Sequence, residues 1–158
     1  MATILHLTTV HPRFDTRIYI KEAKTLASKM KCKVLLMVAD GKGNIEKQSE
    51  SVSIHDLGKL EGGRIKRAIL GSCRSFFAII QIKPKVVHFH DPELIPIAVL
   101  LKILGYSVIY DVHEDVPSQI LSKHYLSSYS RRPLAWVMSC IEWIAARVFD
   151  VMVTATPT

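Results

Sequence analysis

Residues Lys85–Asp115 read KVVHFHDPELIPIAVLLKILGYSVIYDVHED and predict a strand–helix–strand unit around which the rest of the chain is organised. Val86–His90 and Ser107–Val112 are short runs rich in β-branched and aromatic residues, which is typical of buried parallel strands. A crossover between parallel strands is right-handed and leaves both strands pointing the same way. The polar residues that follow the two strands are therefore expected to meet at one edge of the sheet.

The helix between these strands has recognisable ends. Asp91 is predicted to cap it, with Pro92 at its first position, and Gly105 is predicted to end it in a left-handed turn. Pro96 has no N–H group, so it removes one helical hydrogen bond unless the ordered helix begins there.

Polar clusters follow both strands, at His90–Glu93 and at His113–Asp115. In open α/β sheets, ligands bind outside the carboxyl ends of the strands. The functional site is therefore expected where these two clusters meet.

The composition describes one folded domain. The 158 residues are 49% hydrophobic and 22% charged, which is ordinary for a globular α/β protein and excludes a disordered chain. The chain has 21 lysines and arginines against 14 acidic residues, and its net charge of +7 favours phosphorylated sugars, an acidic membrane surface or nucleic acid as partners. Nucleic acid is disfavoured, because the sequence has no RNA-binding aromatic strand motif, no zinc-finger spacing and no basic run longer than two residues.

The cysteines and the N-terminal sequence predict a soluble, cytoplasmic protein. Cys32, Cys73 and Cys140 are odd in number and form no CxxC pair, so reduced thiols are expected. The first residues lack the basic region and small-residue cleavage site of a signal peptide. No apolar run approaches the roughly 18 residues that a membrane-spanning helix needs.

The remaining elements alternate strands and helices. Further strands are predicted at Thr3–Thr8, Lys33–Ala39, Val52–Leu57 and Asp150–Thr156. One helix follows the loop Thr9–Thr16, and another begins at Gly62-Gly63 and ends before Pro84.

The C-terminal third is predicted to hold one long helix. Val116–Ser130 has mixed polarity, which indicates a mobile segment with one helical turn at Pro117–Leu121. Pro133 is predicted to start the last helix. Its apolar stripe is expected to pack into the core, an interfacial membrane helix being the alternative. The stripe comprises Leu134, Val137, Ile141, Ile144 and Val148 and is widened by Trp136, Cys140 and Trp143.

Closely spaced polar residues occupy the loop and helix start after the first strand. They are His11, Arg13, Asp15, Arg17 and Lys21. Exposed amides and a helix N-terminus favour anions, so this group is predicted to bind substrate. The alternative is that Asp15 caps the helix and the basic residues are solvated. The loop contains no GxGxxG, which argues against a nicotinamide or flavin dinucleotide.

Metal and nucleophilic chemistry are not favoured by the sequence. His88 and His90 share one strand face, but such pairs are common and no further ligand has a recognisable spacing, so no metal site is expected. No serine lies in a GxSxG elbow, and no cysteine lies beside a plausible base. Proton chemistry at His113, beside Glu114, remains; the alternative is a core histidine satisfied by a neighbouring carbonyl.

Three segments carry a resemblance to a known family. They are HPRFDTRIYIKEAKTLA (11–27), VVHFHDPELIPIAVLLKILGYSVIYDVHED (86–115) and RVFDVMVTATPT (147–158). In this order they resemble the N-terminal domain of family 4 glycosyltransferases of the GT-B architecture. The first resembles the bacterial branch that builds surface polysaccharides, although Val10-His11-Pro12-Arg13 stands where many members have paired glycines.

The resemblance implies a three-layer Rossmann-like sandwich with a mostly parallel sheet, the N-terminal half of a GT-B fold. It implies a retaining transfer, of the hexosyltransferase type, from a nucleotide-diphosphate sugar to a polysaccharide or lipid-linked acceptor. Residues 1–158 would form the acceptor-side domain. A C-terminal domain, absent from this chain, would hold the donor nucleotide through a Glu-x7-Glu motif, so this chain alone is expected to be inactive.

The resemblance also implies roles for individual residues. His113 matches the histidine that the family places at the donor sugar, so it is expected to be catalytic. The residues expected to bind substrate are His11, Arg13, Asp15, Arg17, Lys21, His90, Asp91, Glu93 and Glu114. No tightly bound cofactor is expected, and peripheral contact with the anionic inner face of the membrane is compatible with the charge. The alternative function is a non-catalytic Rossmann-like binding module.

Overall fold

One parallel sheet organises the molecule, and the computed structural model describes residues 3–30, 32–46, 52–112, 115–122 and 127–154 of it. Within these residues the strands are β1 (Thr3–Leu7), β2 (Lys33–Val38), β3 (Ser53–Asp56), β4 (Val86–Phe89), β5 (Ser107–Val112) and β6 (Val151–Thr154). Their order across the sheet is β3-β2-β1-β4-β5-β6, and each neighbouring pair is parallel. This is the order of a doubly wound Rossmann sheet.

Helices cover both faces of the sheet. They are a π-helix (Thr16–Ala23), α1 (Lys24–Lys29), α2 (Arg64–Ile82), a 3₁₀ turn (Pro92–Leu94), α3 (Ile95–Ile103), α4 (Val116–Ser122) and α5 (Ser128–Val148). The π-helix and α1 lie on one face, and α2, α3 and α5 lie on the other. The predicted α/β sandwich with a parallel sheet is confirmed, and each predicted strand is present.

The larger core lies between the sheet and α2, α3 and α5. Alternate residues of the central strands point into it because successive side chains of a strand face opposite ways. Phe89 of β4 stacks on Tyr110 of β5, with ring centroids 4.5 Å apart, and Phe149 meets Phe89 edge-on at 5.3 Å. Burying each such side chain stabilises the fold by roughly 1.5–3 kcal/mol.

The opposite face changes character along the sheet. Under the π-helix and α1, alternate residues of β2 (Val34, Leu36 and Val38) are apolar and buried. On the central strands the same face is polar, since His6 of β1 and Asp111 of β5 are buried there. Polar groups in such a position need partners from the covering helix.

The crossover between β4 and β5 differs from prediction at its start. Asp91 occupies the N-cap position with Pro92 after it, as predicted, but its side chain makes no capping bond. Its carboxylate turns instead to the loop after β1. The 3₁₀ turn comes first, and α3 begins at Ile95, so Pro96 lies in the first turn, where its missing N–H removes no bond. Gly105 has a φ of +88° and ends the helix as predicted.

The predicted helical turn at Pro117–Leu121 is part of a longer helix. Val116–Ser122 forms α4, which packs against α5. Helix α5 begins at Ser128 and not at Pro133, which lies inside it. A proline inside a helix removes one bond to a preceding carbonyl.

The apolar stripe of α5 packs into the core only in part. Its members Ile141 and Val148 are partly buried against the core, which Ala145 and the following Phe149 complete. Leu134, Val137 and Ile144 are each more than 40% exposed, and the two tryptophans are more exposed still. None of the described helices is long and apolar enough to cross a membrane.

Candidate active site at the carboxyl edge of the sheet

A crevice opens where the strand order reverses. The chain moves from β1 towards β2 on one side, whereas β4 leads towards β5 on the other. β1 and β4 are adjacent, so the loop after β1 and the turn after β4 leave the sheet in opposite directions and a gap opens between them. Rossmann-like sheets bind their ligands at this position.

Asp91 ties the two sides of the crevice together. Its carboxylate accepts hydrogen bonds from the Thr9 amide at 2.5 Å and from the Thr8 hydroxyl at 3.0 Å. The Thr9 hydroxyl and the Val10 amide donate to the same carboxylate at 3.2 and 3.3 Å. Asp91 is only 2% exposed, so these donors stabilise a buried charge and fix the first residues of the loop.

Glu93 and His11 add a second carboxylate and an imidazole to the crevice. The Thr9 hydroxyl lies equally 3.2 Å from Glu93 Oε1, so the two carboxylates share its one proton, and His11 Nε2 lies 3.6 Å from the Asp91 carboxylate. Burial, followed by the charge of Asp91, raises the pKa of Glu93 above its ordinary value. Such a group can form hydrogen bonds with a ligand hydroxyl in either protonation state.

These groups line a cavity of about 610 Å³. Its other wall is the start of α2, where Arg64 and Arg67 are exposed beside the helix N-terminus. Leu60 and Tyr110 supply apolar surface. The cavity therefore offers carboxylates on one side, cationic groups and a helix N-terminus on the other, and an apolar floor, which suits a polar ligand with an anionic part.

A buried histidine network lies beside this cavity, on the polar part of the sheet face under the π-helix. His6 and His88 are neighbours on β1 and β4, with ring centroids 4.6 Å apart. His90 follows on the same face, and its Nε2 lies 3.1 Å from His6 Nδ1. The other ring nitrogen of His90 lies 3.2 Å from the Asp111 carboxylate.

The π-helix covers this network with two charged side chains. Arg17 binds the Asp111 carboxylate and donates to Glu22 Oε1 at 3.2 Å. The two residues are five positions apart, and they face the same side because π-helical hydrogen bonds join residues i and i+5. The irregular helix is thus what brings Glu22 over the histidines.

The surroundings shift the pKa of two members of the network. Burial, and then the neighbouring His88 and His90, lower the pKa of His6 well below its ordinary value, so its ring is neutral. Burial, and then the charge of Asp111, raise the pKa of Glu22 to about 7. Both shifts follow from placing several ionisable groups under one helix.

The predicted site residues fall into three groups. His11, His90, Asp91 and Glu93 line the cavity and are brought together as expected. Four others do not line it. Arg13 is 5% exposed and binds Asp40 through two nitrogens, Asp15 caps the π-helix, Arg17 binds Asp111, and Lys21 is exposed. His113 and Glu114 lie outside the described residues.

Other residues of the site were not predicted. Thr9, Arg64 and Arg67 line the cavity, and Glu22 and Asp111 complete the buried network. Thr9 and Arg67 carry no local signal, because a threonine after a strand and an arginine on a helix usually face solvent. Asp111 did carry one, since a charged residue in an apolar strand needs a buried partner.

Comparison with known proteins supports the fold. The chain resembles the solved structure of a sucrose-phosphate synthase from Thermosynechococcus elongatus, with 10% sequence identity and a TM-score of 0.61. The match covers 98% of this chain and 47% of the synthase, so the chain spans about half the length of that protein. No protein-family model and no curated protein sequence matches the chain. The likeness confirms the expected Rossmann-like fold.

Proposed function

We propose that this chain is the acceptor-side domain of a retaining glycosyltransferase of surface-polysaccharide assembly. The observation that carries the proposal is the cavity at the strand-order reversal, where Asp91, Glu93 and His11 converge. The likeness to half of a sucrose-phosphate synthase supports the same assignment. In this proposal the acceptor is a glycan or lipid-linked sugar whose hydroxyls bind the carboxylates.

The division of labour between two domains follows from this proposal. A second, C-terminal domain would bind the nucleotide diphosphate of the sugar donor, and the cleft between the domains would hold the reacting sugar. Arg64 and Arg67, at the N-terminus of α2, would stabilise phosphate groups of donor or acceptor by positive charge. His113 would contact the donor sugar, and Glu114 would bind substrate beside it.

The first experiment compares two proteins by calorimetric titration with a panel of nucleotide-diphosphate sugars. One is this chain, and the other is the product of the reading frame extended through any downstream coding sequence. Binding by the longer product alone supports a donor site in a second domain. Tight binding by this chain alone would show that the nucleotide site lies in this domain and would contradict the proposal. Binding without transfer to any acceptor would favour the non-catalytic binding module.

The second experiment tests the acceptor side with Glu93→Gln in the complete enzyme. We expect the acceptor KM to rise about tenfold while the donor KM stays within a factor of two, because one charge-assisted hydrogen bond contributes about 1.5 kcal/mol. Glu61→Gln is the matched control, since Glu61 is exposed on the loop before α2. Equal effects on both substrates, or equal effects of the two variants, would contradict the assignment.

Contact with an anionic membrane surface is part of the same proposal. Helix α5 exposes Trp136 and Trp143, and Arg147 stacks on the Trp143 ring at 3.4 Å. Aromatic and basic side chains on one helix are typical of interfacial binding. Vesicles with about one third anionic lipid should bind the protein, and Trp136→Ser with Trp143→Ser should weaken this binding severalfold. Equal binding of the double variant would exclude α5 as the contact surface.

A further inference from the structure

The buried network under the π-helix has the donor atoms of a metal site. His6, Glu22, His88 and His90 each direct one nitrogen or oxygen to a common point, and these four atoms lie within 4.8 Å of one another. We propose that they bind a divalent transition metal of the zinc class. This site lies beside the cavity of the proposed function and does not depend on that function.

The spacing of three of the donors fits such an ion. His6 Nδ1, His90 Nε2 and Glu22 Oε2 are separated by 3.1, 3.8 and 4.0 Å. A point equidistant from three atoms at these separations lies about 2.1 Å from each of them, which is the length of a Zn–N or Zn–O bond. His88, paired with His6 across β1 and β4, offers a fourth donor atom within 4.8 Å of the other three.

The surroundings of His90 provide an independent argument. Its Nδ1 faces the Asp111 carboxylate at 3.2 Å, which leaves Nε2 directed at the common point. Metal-ligating histidines almost always donate their other ring N–H to a carboxylate or carbonyl, which fixes the tautomer and orients the ring. Arg17 holds Asp111 from the π-helix, so the supporting carboxylate is itself anchored.

One buried atom of the network also indicates a missing ligand. Glu22 Oε2 is inaccessible to solvent and has no hydrogen-bond partner among the described residues. A buried carboxylate oxygen without a hydrogen-bond donor destabilises the fold. A cation at the common point would contact Glu22 Oε2 directly and remove this penalty.

The donor set decides which ions are expected. Three imidazoles and one carboxylate suit zinc, cobalt, nickel or copper, whereas magnesium and calcium take oxygen ligands. The sequence argument against a metal considered only ligands on or after β4. It could not include His6 and Glu22, which the fold brings in from β1 and the π-helix.

The test uses this chain without an affinity tag, stripped of metal by a chelator and then titrated with Zn²⁺, Co²⁺ and Mg²⁺ by calorimetry. We expect about one equivalent of Zn²⁺ to bind with a Kd below about 1 µM, a visible absorption band of four-coordinate Co²⁺, and no binding of Mg²⁺. At a free Zn²⁺ concentration of about 100 times Kd, the Tm should rise by roughly 5–10 °C.

Variants distinguish the site from adventitious binding. Glu22→Gln and His90→Gln should each weaken Zn²⁺ binding at least about 100-fold, and Asp111→Asn about 10–100-fold. His55→Gln on β3 is the matched control and should leave the Kd within a factor of two. Glu22 is partly exposed on the π-helix, so Glu22→Gln retains the fold and is decisive even if His90→Gln does not fold. Absence of Zn²⁺ binding by the unmodified chain, or equal affinity of Glu22→Gln, would overturn the proposal in favour of a hydrogen-bonded network without metal.

Discussion

Replacing Asp91 by alanine removes the buried carboxylate that joins the loop after β1 to the turn after β4. Two backbone amides and two hydroxyls donate to it. The hydroxyls of Thr8 and Thr9 can rotate to other acceptors, and the Val10 amide can reach water because that residue is exposed. The Thr9 amide is buried and has no such alternative.

The expected loss of stability follows from two opposing effects. A charge-assisted hydrogen bond contributes about 1.5–3 kcal/mol, and an amide left buried without an acceptor adds about 1–3 kcal/mol. Against this, the variant avoids the desolvation of one carboxylate, which can offset several kcal/mol. The donors should outweigh the desolvation because removing one partner of a buried charged group leaves the others unsatisfied. We expect a net loss of about 3 kcal/mol.

Urea unfolding followed by circular dichroism measures this change. A loss of about 3 kcal/mol corresponds to a Tm lower by roughly 6–12 °C for a domain of this size. Asp115→Ala is the control, because Asp115 is exposed and its carboxylate bonds only to Ser118 among the described residues, so its loss of stability should be clearly smaller. A loss below 1 kcal/mol for Asp91→Ala would refute the view that this carboxylate holds the crevice together.

Three further predictions concern the loops beside the site. Arg13→Lys should lower the free energy of unfolding by about 1–3 kcal/mol in urea titrations, because lysine cannot bind Asp40 through two nitrogens; an unchanged midpoint would contradict it. Gly41→Ala should destabilise more than Gly43→Ala, since both have positive φ but only the former would place a Cβ 2.8 Å from Lys59 Cβ; equal Tm values would be the contrary result. The Arg13 guanidinium holds the pKa of Asp40 below its ordinary value. The stability that this pair contributes is therefore present above about pH 4 and should be lost as the pH falls through the lowered pKa. In acid titrations of the free energy of unfolding, Asp40→Asn should flatten this dependence.

Local sequence signals were sufficient for the sheet but not for every side chain of the site. Buried strands appear as short β-branched runs between glycine and proline residues, so each strand could be located. Asp91 and Glu93 could be placed at the site because they follow a strand end. Arg13 was assigned to substrate although it lies buried against Asp40, and a partner from another loop, 27 positions away, has no trace in the local pattern.

Two other differences have specific physical causes. Glu22 escaped notice because a helix was expected to repeat every 3.6 residues, whereas the π-helix places Glu22 beside Arg17, five positions away. The stripe on α5 was expected in the core because periodicity predicts which residues share a face. It does not predict whether another element covers that face, and α5 leaves Leu134 and Val137 exposed.

The strand order also sets when the crevice can form during synthesis. β1 pairs first with β2, but its other neighbour, β4, includes residues 82 positions further along, and the Thr9 amide waits over the same separation for Asp91. At about 5–20 residues per second, translation of that interval takes roughly 4–16 s. During this time the nascent sheet has an open edge at β1, where a chaperone or another strand can bind, and the loop after β1 is fixed only when β4 closes that edge.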